Sequence, residues 1–125
     1  MITDCDVMPL RQYGIHAPLH EIKADLFKAL AHPARVRTLE LLADGERPVA
    51  ELLAETGMEA SHLSQHLAVL RRVGVVTSRR EGKTVLYRVA GPAVTGLLRD
   101  ARTVLLEAHA TTRQALDAVD DSASR

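Results

Sequence analysis

Tryptophan is missing from this chain of 125 residues, and only two tyrosines and one phenylalanine supply aromatic bulk. A core must therefore be built from leucine, valine and alanine, which favours packed helices over a sandwich of sheets. One cysteine excludes an internal disulfide and fits a reducing compartment. No apolar run approaches the roughly 18 residues that mark a membrane span, and the start lacks a secretory leader's charged and apolar regions. The expected location is the cytoplasm, with no membrane partner. Net charge is absent too, since 16 Lys and Arg balance 16 Asp and Glu. Internal repeats and low-complexity tracts are lacking. So are GxGxxG and Walker patterns, a nucleophile–base pair and acids clustered in an apolar setting, so catalysis is not expected. The length suits one domain with a modest core.

What the chain does have is concentrated in MEASHLSQHLAVLRRV, Met58 to Val73. Met58, Leu63, Leu67, Leu70 and Val73 recur at three- and four-residue steps, which predicts one amphipathic helix with an apolar stripe. Between them Ser61, His62, Ser64, Gln65 and His66 are polar and expected to face outward, with Arg71 and Arg72 in the last turn. Gly74 follows where a helix-ending glycine belongs. Short hydrogen-bonding groups at one end and cations at the other suit a DNA major groove, where the former read bases and the latter neutralise phosphate. An ordinary solvated helix face would look similar in isolation. His62 and His66, four apart, also have zinc-binding spacing, but they lie on the face expected to meet DNA.

The flanks favour DNA. Upstream, GERPVAELLAETG reads as a short helix with Val49, Leu52 and Leu53 apolar, giving helix-turn-helix order. Downstream, Val75 to Arg80 and Thr84 to Val89 are β-rich runs joined by Glu81-Gly82-Lys83, a hairpin link. The hairpin carries Arg79, Arg80, Lys83 and Arg88, the character of a basic wing. From Met58 to Val89, six Arg or Lys face two Glu, a local excess of four positive charges in a neutral chain. The expected fold is mainly α with a small β-hairpin wing. A winged-helix module that contacts only proteins is the competing reading, and it would not need the basic wing or the polar helix face.

Three segments resemble the ArsR/SmtB family of winged-helix repressors: FKALAHPARVRTLELL from Phe27, HLSQHLAVLRRVGVV from His62 and RREGKTVLYRV from Arg79. With VAELLAETG the resemblance spans roughly residues 20 to 110. It implies a homodimeric winged helix-turn-helix repressor on operator DNA, released by metal ions, metalloids or redox change. Base contacts would come from Ser61, His62, Ser64, Gln65 and His66, and backbone contacts from Arg71, Arg72, Arg79, Arg80, Lys83 and Thr84.

Residues 1–18, with Pro9, Gly14 and Pro18 and no apolar periodicity, read as a mobile arm carrying Asp4, Cys5, Asp6 and His16. The domain proper runs over 19–119, and 120–125 reads as a frayed tail. Its first helix, Leu19 to Ala31, places Leu19, Ile22 and Leu26 on one face. Pro33 ends that helix, and His32 is expected to make a capping or turn hydrogen bond. Ala34 to Leu42 follows, with Val36, Leu39 and Leu42 inward and Gly45 closing it. Arg35 and Arg37 at its start are placed either on phosphate or in solvent. From Pro92 to Val119 one long helix is expected, because Val94, Leu98, Ala101, Leu105, Ala108, Thr112, Ala115 and Val119 form a heptad seam. In the resembled family the first and last helices build the dimer, which matches this seam.

The inducer is less legible. The family's Cys-x-Cys metal site falls on Leu53 and Glu55 here, so thiolate sensing of soft ions is not expected. Aligning the family's C-terminal Asp-x-His and His-x-x-Glu on Asp100 places Arg102, Arg113 and Leu116 at the other positions. An arginine does not ligate a cation. A nitrogen-rich site for nickel, cobalt or zinc from His16, His20 and His109 across the dimer stays open. Oxidation of Cys5, a small molecule, a regulatory partner protein or no trigger at all are alternatives.

Overall fold

The computed structural model describes residues 7–9, 16–109 and 113–123. These residues fall into two units, Met1–Gly91 and Pro92–Arg125. In the first, the order is β1 (Val7–Pro9), β2 (His16–Pro18), α1 (Leu19–Leu30), α2 (Pro33–Leu42), β3 (Arg47–Pro48), α3 (Val49–Thr56), α4 (Ala60–Arg72), β4 (Val76–Glu81) and β5 (Thr84–Val89). The second holds α5 (Pro92–Ala108) and α6 (Arg113–Ala123). The class is the expected one, mainly helical with a small antiparallel sheet.

The core of the first unit is aliphatic, as the shortage of aromatics requires. Leu39 and Leu42 of α2, Leu52 of α3, Leu63, Leu67 and Leu70 of α4, and Val76 of β4 are almost wholly shielded from solvent. Each such side chain contributes about 1.5–3 kcal/mol of burial free energy. Thr38 is buried among them and satisfies its hydroxyl by donating to the Ala34 carbonyl at 2.7 Å. Val36, expected inward, is only half-buried; Thr38 and Leu41 are buried instead.

The ends of the elements follow from local chemistry. His32 caps α2, its Nδ1 accepting the Ala34 N–H at 3.0 Å, with Pro33 in the first turn. The start of α4 lies at Ala60, so Met58 precedes the helix rather than opening it. Its end is a Schellman turn: Val75 N–H reaches the Leu70 carbonyl and Gly74 N–H the Arg71 carbonyl, both at 3.1 Å. Gly74 adopts φ of 84°, which a side chain would resist. That turn delivers the chain directly into β4.

β4 and β5 form the wing in antiparallel register from Val76↔Val89 to Glu81↔Thr84. The turn is Gly82-Lys83, one residue shorter than the expected Glu81-Gly82-Lys83 link because Glu81 pairs with Thr84, and Gly82 has φ of 63°. A third strand was not legible. β3 pairs Arg47 with Tyr87 and Pro48 with Leu86 at the edge of the sheet, in the order β3-β5-β4. An edge tolerates a proline, which cannot donate to the ladder. Arg47 secures this strand to α2 by donating Nε–H to the Leu41 carbonyl at 2.7 Å, one of the carbonyls left open at a helix end.

One expectation is corrected near the end of the chain. At its start, within residues 1–18, β1 and β2 pair antiparallel with Met8 opposite Ala17. Cys5, Asp4 and Asp6 lie outside the described residues. The single helix Pro92 to Val119 is two helices: α5 ends at Ala108, and α6 begins at Arg113 and runs to Ala123. Arg102 on α5 donates from Nε to Asp120 and from Nη2 to Asp117, both at 2.8 Å. On one straight helix those partners would be more than about 20 Å away at 1.5 Å per residue. α6 therefore folds back along α5. Among the described residues no helix is long and apolar enough to cross a membrane.

Candidate nucleic-acid interface

The apolar stripe of α4 is consumed by the core, which leaves its other face to solvent. Ser61, His62, Ser64 and Gln65 are exposed on it, and Arg71 and Arg72 are exposed at its C-terminal end. On the wing, Arg80, Lys83 and Thr84 are exposed at the tip. Among the described residues, no ion pair engages Arg71, Arg72, Arg80 or Lys83, so four cations are available to an anionic partner.

Three residues stand differently from expectation. His66 is half-buried rather than fully exposed: its Nδ1 accepts Arg35 Nε–H at 3.2 Å, and its ring lies 4.5 Å from that of His32. Burial lowers its pKa below the usual imidazole value, and the nearby His32, Arg35 and His62 charges lower it further. Arg35, offered as a phosphate or solvent group, is an internal brace that also donates to the Ala29 carbonyl at 3.0 Å. Arg79, counted with the wing cations, makes two hydrogen bonds to Glu46 at 2.7 and 2.8 Å and an ion pair with Glu81 at 3.1 Å. Its bond to Arg79 holds the Glu46 carboxyl below its ordinary pKa. Glu46 was missed as a partner because it lies 33 residues away, where no local spacing points to it.

Arg37 sits beside Glu40 on the exposed side of α2 at 4.0 Å, the solvent placement. Arg88 donates across the wing to Thr77 at 3.3 Å. These cross-strand and helix-surface contacts contribute little individually.

The expected dimer residues are partly open. Leu19, Ile22, Leu26, Val94 and Leu98 are half-buried, while Ala101, Leu105 and Ala108 are exposed, and Thr112 lies outside the described residues. Phe27 on α1 is 56% exposed and Val104 on α5 60%, and no residue of α5 is buried. The exposed apolar side chains of these helices are available to a covering partner.

The family's metal positions do not fit a metal here. Leu53 and Glu55 supply no thiolate, and Arg102 is a cation already held by Asp117 and Asp120. Among the described residues, no three His, Cys, Asp or Glu side chains come together as a metal site. His20 is exposed on α1 and His109 is exposed just past α5.

Comparison with known proteins agrees with this geometry. The sequence profile of the bacterial regulatory protein arsR family matches residues 32–78. The uncharacterized HTH-type transcriptional regulator Rv0081 of Mycobacterium tuberculosis is 54% identical over 89 residues, 70% of this chain and 78% of that protein. The crystal structure of Rv0081 superposes with a TM-score of 0.71 at 50% identity, covering 76% of this chain and 96% of that one. The biofilm growth-associated repressor of Agrobacterium fabrum is 49% identical over 95 residues, 72% of this chain and 81% of that protein. A solution structure of the homodimeric winged helix-turn-helix DNA-binding domain Mb0332 from Mycobacterium bovis matches with a TM-score of 0.66 at 36% identity, covering 80% of this chain and 89% of that one.

Proposed function

The chain belongs to the bacterial ArsR family of regulatory proteins, and from that premise we propose that it represses transcription by occupying an inverted-repeat operator as a homodimer. The observation that carries this reading is the exposed strip of α4 from Ser61 to Gln65, flanked by the exposed cations Arg71, Arg72, Arg80 and Lys83, which form no ion pair among the described residues. Ser61, His62, Ser64 and Gln65 are assigned to base edges. Arg71, Arg72, Arg80, Lys83 and Thr84 are assigned to the sugar-phosphate backbone. α1 and α5 are assigned to the homodimer interface, which covers Phe27, Val104 and Leu105. A regulator acting on DNA in this way is no enzyme and works in the cytoplasm.

Titration of operator DNA at fixed salt tests the assignment. Gln65→Ala should cost about 1–3 kcal/mol on the operator and relax one base position. Arg80→Ala should weaken all duplexes alike and reduce the salt slope by about 1. Unchanged binding by both variants would remove the interface from this face.

A second reading concerns release from DNA. The ion pairs of Arg102 and the side chains at Leu53 and Glu55 favour a trigger other than a metal at either of those places. Operator binding that is indifferent to nickel, cobalt and zinc would agree, whereas a tenfold weakening, about 1.4 kcal/mol of coupling, would point to the His16, His20 and His109 set.

A further inference from the structure

On α4 the tautomer of His66 is set by a neighbour. Its Nδ1 accepts a hydrogen bond from Arg35 Nε–H. A ring nitrogen that accepts carries no proton, so the neutral imidazole must keep its proton on Nε2. Arg35 is itself immobilised, because Nη1 donates to the Ala29 carbonyl at 3.0 Å. His32 is locked in the same tautomer by its cap to Ala34 N–H, and its ring supports that of His66 at 4.5 Å. Among the described residues, no buried side-chain nitrogen or oxygen lacks a hydrogen-bond partner. Among the described residues Nε2 of His66 has no hydrogen-bond partner, so it keeps some exposure to solvent. It sits one helical turn after the exposed His62 and next to the exposed Gln65.

We infer that His66 meets DNA as an obligate hydrogen-bond donor through Nε2–H, and that Arg35 is the positioning residue that fixes this tautomer and its aim. The inference rests on the DNA-binding reading of α4 and specifies what one position of that face can recognise. The chemistry it accepts is an acceptor edge: a purine N7, guanine O6, thymine O4 or a phosphate oxygen. The amino groups of adenine and cytosine are refused. The donor survives protonation of the ring, but the Arg35 bond does not, because Nδ1 would then carry a proton. The groups that bear on this charge are His62 on α4, His32 before α2 and Arg35 on α2, all basic. α1 also packs on α4, and none of its His20, Glu21, Lys23, Asp25 and Lys28 bonds to the ring.

Two substitutions separate bracing from reading. His66→Asn keeps an acceptor near Nδ1 for Arg35 and loses the outward donor. His66→Gln keeps an outward amide donor and loses the acceptor. On an operator selected from random duplexes, His66→Gln should bind within about threefold of the parent and His66→Asn about tenfold or more weaker, with both folded by circular dichroism. Imidazole nitrogen shifts of the free protein should report the Nε2–H tautomer of His66, and Arg35→Met should mix the two tautomers. A 7-deazapurine scan names the acceptor. A single costly position whose cost vanishes in His66→Asn identifies a purine N7. A loss shared by all duplexes identifies phosphate. Equal binding by the Asn and Gln variants, or an Nδ1–H ring in the parent, overturns the inference while leaving DNA binding intact. Failure of the parent to select any operator overturns the DNA reading itself.

Discussion

Arg79 and Arg80 are neighbours on β4 with opposite electrostatic circumstances. Arg79 is neutralised by Glu46 and Glu81, whereas Arg80 has no ion pair among the described residues. Arg79→Ala should therefore lower the salt slope of DNA binding by less than the roughly one unit expected for Arg80→Ala. Equal slopes would mean that Arg79 leaves Glu46 to reach phosphate. His66 makes a pH prediction whose sign follows from its lowered pKa. The folded ring holds a proton less tightly than the unfolded one, so its contribution is complete above the ordinary value of 6.5. Stability is lost as pH falls below that value. Urea unfolding at pH 7.5 and 5.5 checks this: the loss should be smaller in His66→Gln, and an identical loss in both proteins would assign it to other groups. Neither residue's state was legible in the sequence. The partner of Arg79 lies 33 residues away and that of His66 lies 31 away, and local periodicity carries no information at that range.

At the scale of elements, legibility followed the strength of local rules. α4, its Gly74 stop and the Gly82 turn were readable because a 3.6-residue period and positive-φ glycines are local signals. β3 was not, since Arg47-Pro48 is too short to show alternation and pairs only because β5 offers an edge. The α5–α6 reversal was hidden by a heptad seam that continues through it. A repeat of seven does not register a turn. The β-branched pair Thr111-Thr112 was the one available hint, through low helix propensity. Gly74→Ala meets nothing within 4 Å at the new Cβ, so its cost is backbone strain alone, about 1–2 kcal/mol. Leu67→Ala removes a core side chain that is 2% exposed and should cost about 2–5 kcal/mol. Denaturant midpoints would order the two, with Leu67→Ala the lower. A neutral Gly74→Ala would mean that the Schellman turn does not constrain the wing.

For the whole molecule, apolar surface and charge point to one assembly. Phe27, Val104 and Leu105 are 56%, 60% and 45% exposed, apolar side chains that a partner subunit would cover. A twofold dimer would present two copies of α4 about one DNA turn apart, roughly 34 Å, and so require an inverted repeat. Phe27→Glu or Leu105→Glu should shift sedimentation toward monomer and weaken operator binding together. Loss of dimer with full affinity would dissociate the two properties. The most direct test is selection of the parent protein against a random duplex library at physiological salt, followed by binding of the winning sequence and a scrambled control. The result expected is an inverted repeat with half-site centres about ten base pairs apart, bound at least about a thousandfold tighter than the scrambled duplex. Equal affinity for both duplexes would contradict sequence-specific recognition by α4.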